Sequence, residues 1–137
     1  KGVFLCLKYE MQQMKKQKYG AIVNTSSIGA IKIAPRFCAY TASKAGLNGL
    51  TKSAALEGAM FNIRVNTIMP GPIDKTLLFD YLNATTPEMA NDTPNMIPLQ
   101  RVGHPEDIAE ALIYFCSDEA SFVTGQCIAV DGGLTLM

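Results

Sequence analysis

Ser27, Tyr40 and Lys44 are the residues of this chain whose types and spacing could move a proton. Tyr40 and Lys44 lie four positions apart, which puts both on one face if the segment is helical. An ammonium one turn from a phenol stabilises the phenolate, because a nearby opposite charge favours the ionised form of an acid. A tyrosine needs that help to give and take a proton near neutral pH. Ser27 lies thirteen positions before Tyr40, in the run Asn24-Thr25-Ser26-Ser27, and its hydroxyl can hold a substrate oxygen. A Tyr-x-x-x-Lys pair by itself is common on solvated helix faces, so the surrounding elements must decide.

Those elements are legible in the hydrophobic periodicity. Val3, Phe4, Leu7, Met11 and Met14 predict a helix over residues 1–17, with Lys8, Lys15, Lys16 and Lys18 on its wet side and Tyr19-Gly20 as its stop. Residues 21–25 read as a short buried strand. Residues 26–36 form a loop, and a helix is predicted from about 39 to 60. Ala42, Ala45, Gly46, Gly49 and Ser53 run along one side of that helix, a stripe that admits close approach of another helix or of a sheet. Residues 63–69 are a second strand, stopped by Pro70-Gly71-Pro72.

Residues 74–98 mix turn formers with Leu77, Leu78, Phe79, Tyr81, Met89 and Met96, which suits an apolar lid or a helical excursion packed on its own domain. Gly103-His104-Pro105-Glu106-Asp107 opens another helix, with Pro105 at its first position and His104 as a turn or cap residue. Residues 127–130 are a third strand. This alternation predicts an α/β domain with a parallel sheet. Ligands of such sheets bind beyond the carboxyl ends of the strands, where Ser26-Ser27 and Pro70-Gly71 both fall.

Composition narrows the function classes. With 48% apolar and 18% charged residues, the 137-residue chain suits one water-soluble globular domain. Twelve acids balance twelve bases, which argues against a nucleic-acid partner. Cys6, Cys38, Cys116 and Cys127 form no C-x-x-C pair, and His104 is the one histidine, so no metal site is expected. Their apolar or small neighbours predict reduced, mostly buried thiols and a cytoplasmic setting. No apolar run approaches membrane-spanning length, so no membrane partner is expected. The chain opens at Lys1 inside an amphipathic pattern with no capping residue, which suggests a fragment, a processed chain or part of a longer one.

Taken in order, the motifs resemble the C-terminal half of a single-domain short-chain dehydrogenase/reductase. Asn24-Thr25-Ser26-Ser27 resembles the strand with the family's catalytic Ser, and Tyr40-x-x-x-Lys44 its Tyr and Lys. Arg64-Val65-Asn66 with Pro70-Gly71 is similar to its next strand and cofactor turn. Residues 103–109, and 123–126 through Asp131-Gly132-Gly133, match its last helix and strand. The resemblance implies that residues 1–137 are the catalytic and substrate-lid half of an NAD(P)-binding, Rossmann-like doubly wound sheet, about three strands with helices on both faces.

It further implies an oxidoreductase interconverting a carbonyl and a secondary alcohol, with NAD or NADP as hydride carrier. Tyr40 would be the proton donor and acceptor, and Ser27 would hydrogen-bond the substrate oxygen. Lys44 would bind the nicotinamide ribose, with Tyr40 also contacting the cofactor. Pro70, Gly71 and Ile73 would orient the carboxamide. The partners implied are a small carbonyl or alcohol substrate and copies of the same chain, as a homodimer or homotetramer.

Three departures stand out. No Gly-rich dinucleotide loop is present. The family's catalytic Asn falls two positions before Lys1. Lys75 holds the place of a common Thr, with Thr76 next. A half-domain that serves only in assembly is therefore the competing expectation, and its strand at 22–25 would carry an unpaired edge.

Overall fold

The computed structural model describes residues 1–137, the side chain of Leu82 excepted. Its elements run α1 (Gly2–Gln17), β1 (Gly20–Thr25), α2 (Cys38–Ala59), β2 (Ile63–Pro70), α3 (Leu77–Thr85), α4 (Pro87–Asp92), α5 (Pro105–Cys116) and β3 (Cys127–Val130), with short 3-10 turns between them. The three strands form a parallel sheet in the order β1-β2-β3. This is the predicted partial α/β fold.

β2 is the central strand because its side chains suit burial on both faces. Residues 65–69 are all buried. Period-two alternation sends Ile63, Val65 and Thr67 to the face carrying α1 and α2. There they join Leu7 and Met11 of α1, Ala54 and Ala55 of α2 and Ile22 of β1 in the main apolar cluster, Thr67 through a hydroxyl bond to Thr51. Arg64 and Asn66 turn to the other face. Arg64 donates to the carbonyls of Phe115 and Ser117 at 2.8 and 2.9 Å, so a guanidinium serves carbonyls at the end of α5. Asn66 bonds Val123 O and Gln126 N, aligning the approach to β3. β1 pairs on one side only among the described residues, as expected for its outer edge.

Two local expectations are corrected. The first helix ends at Gln17 as expected, but Lys18 in the left-handed conformation (φ 60°) stops it rather than Tyr19-Gly20. Gly20 instead starts β1, where a Cβ would collide with the Met14 side chain. The cysteines are not mostly buried, since Cys6, Cys38 and Cys116 are exposed and Cys127 is half-buried. Cys6 and Cys116 each adjoin an inward residue, Leu7 and Phe115, and one step along a helix rotates a side chain about 100°. The small-residue stripe of α2 is exposed and open to close approach, and a Cβ at Gly46 or Gly49 would meet nothing within 4 Å. α2 packs on the sheet through Leu47, Thr51, Ala54, Ala55 and Gly58 instead. Among the described residues no helix is long and apolar enough to cross a membrane.

Candidate active site

A cleft of about 540 Å³ opens at the carboxyl ends of β1 and β2. Ser26 and Ser27 enter it from β1, Tyr40 and Thr41 from the first turn of α2, and Pro70, Gly71, Pro72 and Ile73 from the turn after β2. Leu78 and Phe79 of α3 form the far wall. Five of the six predicted site residues, Ser27, Tyr40, Pro70, Gly71 and Ile73, therefore line one cavity. Lys44 does not line it. It lies one turn behind, where its ammonium donates to Thr25 O at 3.2 Å and sits 5.8 Å from the Tyr40 ring centroid.

The positions of these groups follow from cross-links between strand and helix. Ser26 Oγ donates to Lys44 O at 2.9 Å, while Lys44 Nζ reaches back to Thr25 O. Two opposed bonds thus join the end of β1 to the turn of α2 that carries Tyr40 and Lys44. Deeper, the fully buried Thr51 hydroxyl accepts from Asn24 Nδ2 at 2.9 Å and from Thr67 Oγ1 at 2.7 Å. One residue of α2 thereby ties both strands that end at the cleft. Buried polar groups are costly unless paired, so this network holds a single arrangement.

Tyr40 is held by its neighbours. Its ring meets Phe37 edge-on at 6.0 Å, and a Cβ at Gly29 would stand 2.9 Å from Tyr40 Cε1. Glycine is thus required where the loop passes the tyrosine. Ser27 Oγ accepts from Gly29 N at 3.0 Å, which orients the hydroxyl at the start of the turn Ile28–Ala30. Among the described residues the Tyr40 hydroxyl makes no hydrogen bond, and the buried Thr41 hydroxyl beside it has no partner. Among the described residues Lys32 is the one charged side chain lining the cleft, and its ammonium donates to the main-chain oxygens of Leu134 and Met137.

The turn after β2 is set by close packing. A Cβ at Gly71 would fall 2.8 Å from Asp131 Cα, and Gly71 N donates to Val130 O. Ile73 then pairs with Gly103 as an isolated parallel bridge, through Gly103 N to Pro72 O and Asp74 N to Gly103 O. That pairing leaves the Ile73 N–H outside it. Thr76 donates to Ile73 O and accepts from Phe79 N, so it caps α3. Lys75, at the common Thr position, takes a left-handed φ of 52° and is exposed. His104 caps α5 as expected, its N–H reaching Asp107 Oδ2 at 2.7 Å. The doubly bonded Arg101 guanidinium, with that N–H, holds the Asp107 carboxyl well below the ordinary carboxylate range.

Gly29, Ser26 and Thr51 received no role from sequence. Ser26 had one available signal, its place at a strand end beside Ser27. Thr51 had none, since its partners lie 27 and 16 positions away.

Comparison with known proteins identifies the fold and the family. A family model described as enoyl-(acyl carrier protein) reductase matches residues 1–135. The chain is 44% identical over 137 residues to a 3-oxoacyl-(acyl-carrier-protein) reductase of Thermotoga maritima, covering 99% of this chain and 54% of that protein. It is 46% identical over 131 residues to a 3alpha-hydroxysteroid dehydrogenase of Mediterraneibacter gnavus, covering 96% and 51%. A solved short-chain type dehydrogenase/reductase from Mycobacterium ulcerans superposes with a TM-score of 0.87 at 38% identity, covering 95% of this chain and 46% of that one. The chain thus spans about half the length of the curated relatives it matches.

Proposed function

This chain belongs to the short-chain dehydrogenase/reductase family, and from that premise we propose that the protein carrying it is an NAD(P)-dependent oxidoreductase that interconverts a carbonyl and a secondary alcohol. The observation that carries the proposal is the single cleft lined by Ser27, Tyr40, Pro70, Gly71 and Ile73, with Lys44 one turn behind. Tyr40 gives its hydroxyl proton to the carbonyl oxygen during reduction and takes it back during oxidation. Ser27 donates a hydrogen bond to the same oxygen and holds it at the tyrosine. Lys44 stabilises negative charge on the Tyr40 oxygen.

The donor set fits the nicotinamide-ribose end of a dinucleotide. Lys44 commits one of its three N–H groups to Thr25, which leaves two for ribose hydroxyls. The Ile73 N–H suits a carboxamide oxygen, and Pro70 and Gly71 shape the wall beside it. When bound, NAD or NADP supplies the hydride. The cleft walls are mainly apolar, with Ile28, Ile33, Phe37, Leu78 and Phe79 around the reacting groups, so a substrate with an apolar body fits best. The exposed apolar side chains of α1 (Val3, Phe4, Leu5, Tyr9) and the bare stripe of α2 suit contact with a second copy, in a homodimer or homotetramer.

In the full-length protein, Tyr40→Phe is expected to lower turnover at least ~100-fold while cofactor affinity stays within about threefold. Wild-type turnover in that variant would sink the proposal. A second reading, a half-domain serving only in assembly, is favoured by the open edge of β1. Titration of NADPH and NADH into the isolated 137-residue chain bears on it. We expect no binding in the micromolar range, because no Gly-rich phosphate loop is present. Micromolar binding would show that this half suffices for the cofactor.

A further inference from the structure

The arm that covers the cleft leaves the sheet through residues 71–76, and a small polar cluster stands at its base. The Ile73–Gly103 bridge ties the arm to the segment before α5. One residue further along both segments, His104 Nδ1 lies 2.8 Å from Asp74 Oδ2. The two residues are thirty positions apart, and the motif that opens α5 gives His104 a capping role but no tie to Asp74. We propose that His104 and Asp74 form a positioning pair that sets where α3 and α4 sit over the cleft, and so governs how tightly substrate is held.

His104 is a fixed post. It caps α5, and its N–H is held by Asp107 Oδ2, while Asp107 is gripped by Arg101 Nη1 and Nη2 at 2.7 and 2.8 Å. Asp74 is the partner on the arm. Its second oxygen is buried and has no hydrogen-bond partner among the described residues, so the imidazole is the side chain that satisfies this carboxylate. A ring N–H at Nδ1 donates to it whether or not Nε2 also carries a proton.

Two residues beyond Asp74, Thr76 closes the first turn of α3 by bonding Ile73 O and Phe79 N. The bond to His104 therefore acts at the pivot from which Leu78 and Phe79 reach into the cleft. Past that pivot the arm is thinly held, with Leu77, Leu78, Tyr81 and Met89 all exposed. A segment with few buried contacts takes its orientation from its base. Neither residue lines the cleft, so both act through the arm.

The kinetic consequence rests on the oxidoreductase reading, but the structural one does not. The test uses the full-length protein. In His104→Ala, amide hydrogen exchange over Leu77–Thr85 is expected to quicken about fivefold or more, the loss of one charge-assisted hydrogen bond. Substrate KM should rise by a similar factor, with kcat within about twofold. His104→Asn should restore both, since its amide N–H can replace Nδ1–H. Asp74→Ala should match His104→Ala, and the double variant should be no worse than either.

Unchanged exchange over Leu77–Thr85 in both single alanine variants overturns the proposal. So does His104→Asn being as impaired as His104→Ala. If Tyr40→Phe retains turnover, the oxidoreductase reading fails, yet the exchange measurement still decides the pair.

Discussion

Thr51 ties the strands that lead to the cleft, Leu78 lines its far wall, and their surroundings differ in kind. Thr51 is fully buried and bonded twice, to both strands that end at the site. Leu78 is more than half exposed and belongs to a helix with little beneath it. The floor formed by β1, β2 and α2 carries Ser27 and Tyr40 and is cross-linked at three depths, by Thr51, Ser26 and Lys44. Among the described side chains of α3 and α4 only Ala90 is buried. On the proposed function, the groups that would meet a reacting oxygen at hydrogen-bond distance lie where neighbours over-determine them. The groups that would admit and release a substrate lie where few contacts hold them.

The sharpest way to break the contrast is to remove the keystone of the floor. Thr51→Val keeps the shape but leaves the Asn24 amide and the Thr67 hydroxyl without their shared acceptor. Each orphaned donor costs about 1–3 kcal/mol. A loss of roughly 2–4 kcal/mol is expected, with a fall in melting temperature on the order of 10 °C, read by calorimetry on the full-length protein. Turnover should fall too, because β1 and α2 lose a tie that sets Ser27 against Tyr40. A variant as stable as wild type would mean that the floor is held by apolar packing alone.

The same contrast explains what could be read from sequence. Tyr40 and Lys44 were legible because helical periodicity brings i and i+4 together, and Ser27 because strand ends gather at one edge of a parallel sheet. β2 was legible from its β-branched run, and α5 from Pro105 and its acidic first turn. The Thr51 network was not, since each of its bonds joins separate elements and a threonine in a helix carries no sign of its partners. Gly20 looked like a helix stop because glycine favours left-handed turns, yet Lys18 took that conformation and Gly20 made room for Met14. Lys44 was expected one helical turn from Tyr40, but its bond to Thr25 depends on how β1 meets α2. Local pattern locates chemistry; only tertiary packing says which way each group points.

The arm side is tested by trimming its wall. Leu78→Ala removes apolar surface that is already mostly in water, so stability should change by less than about 1 kcal/mol. Substrate KM should nonetheless rise about threefold to tenfold, because the side chain lines the cleft. Phe79→Ala, half-buried on the same wall, should raise it further at some cost in stability. A large loss of stability without a change in KM would put Leu78 in the fold and take it out of the substrate wall.

The smallest effect lies where floor and arm meet, at the Arg101–Asp107 pair. Asp107 has its carboxyl held below the ordinary range by the Arg101 hydrogen bonds first and the His104 N–H second. A group with a depressed folded value adds stability that is fully present above the unfolded carboxyl range and fades as pH falls toward the folded value. Wild type should therefore exceed Asp107→Asn in melting temperature by a constant margin above about pH 5, and the margin should shrink between about pH 4 and pH 2. Both side chains are substantially solvent-exposed, at 49% and 33%, so the margin should be small and should narrow further in about 1 M salt. A margin that grows on acidification would reverse the sign and remove Asp107 as the anchor of His104. A margin that salt leaves untouched would mean the pair is shielded by the arm above it, and the arm would then be better packed than its exposed side chains imply.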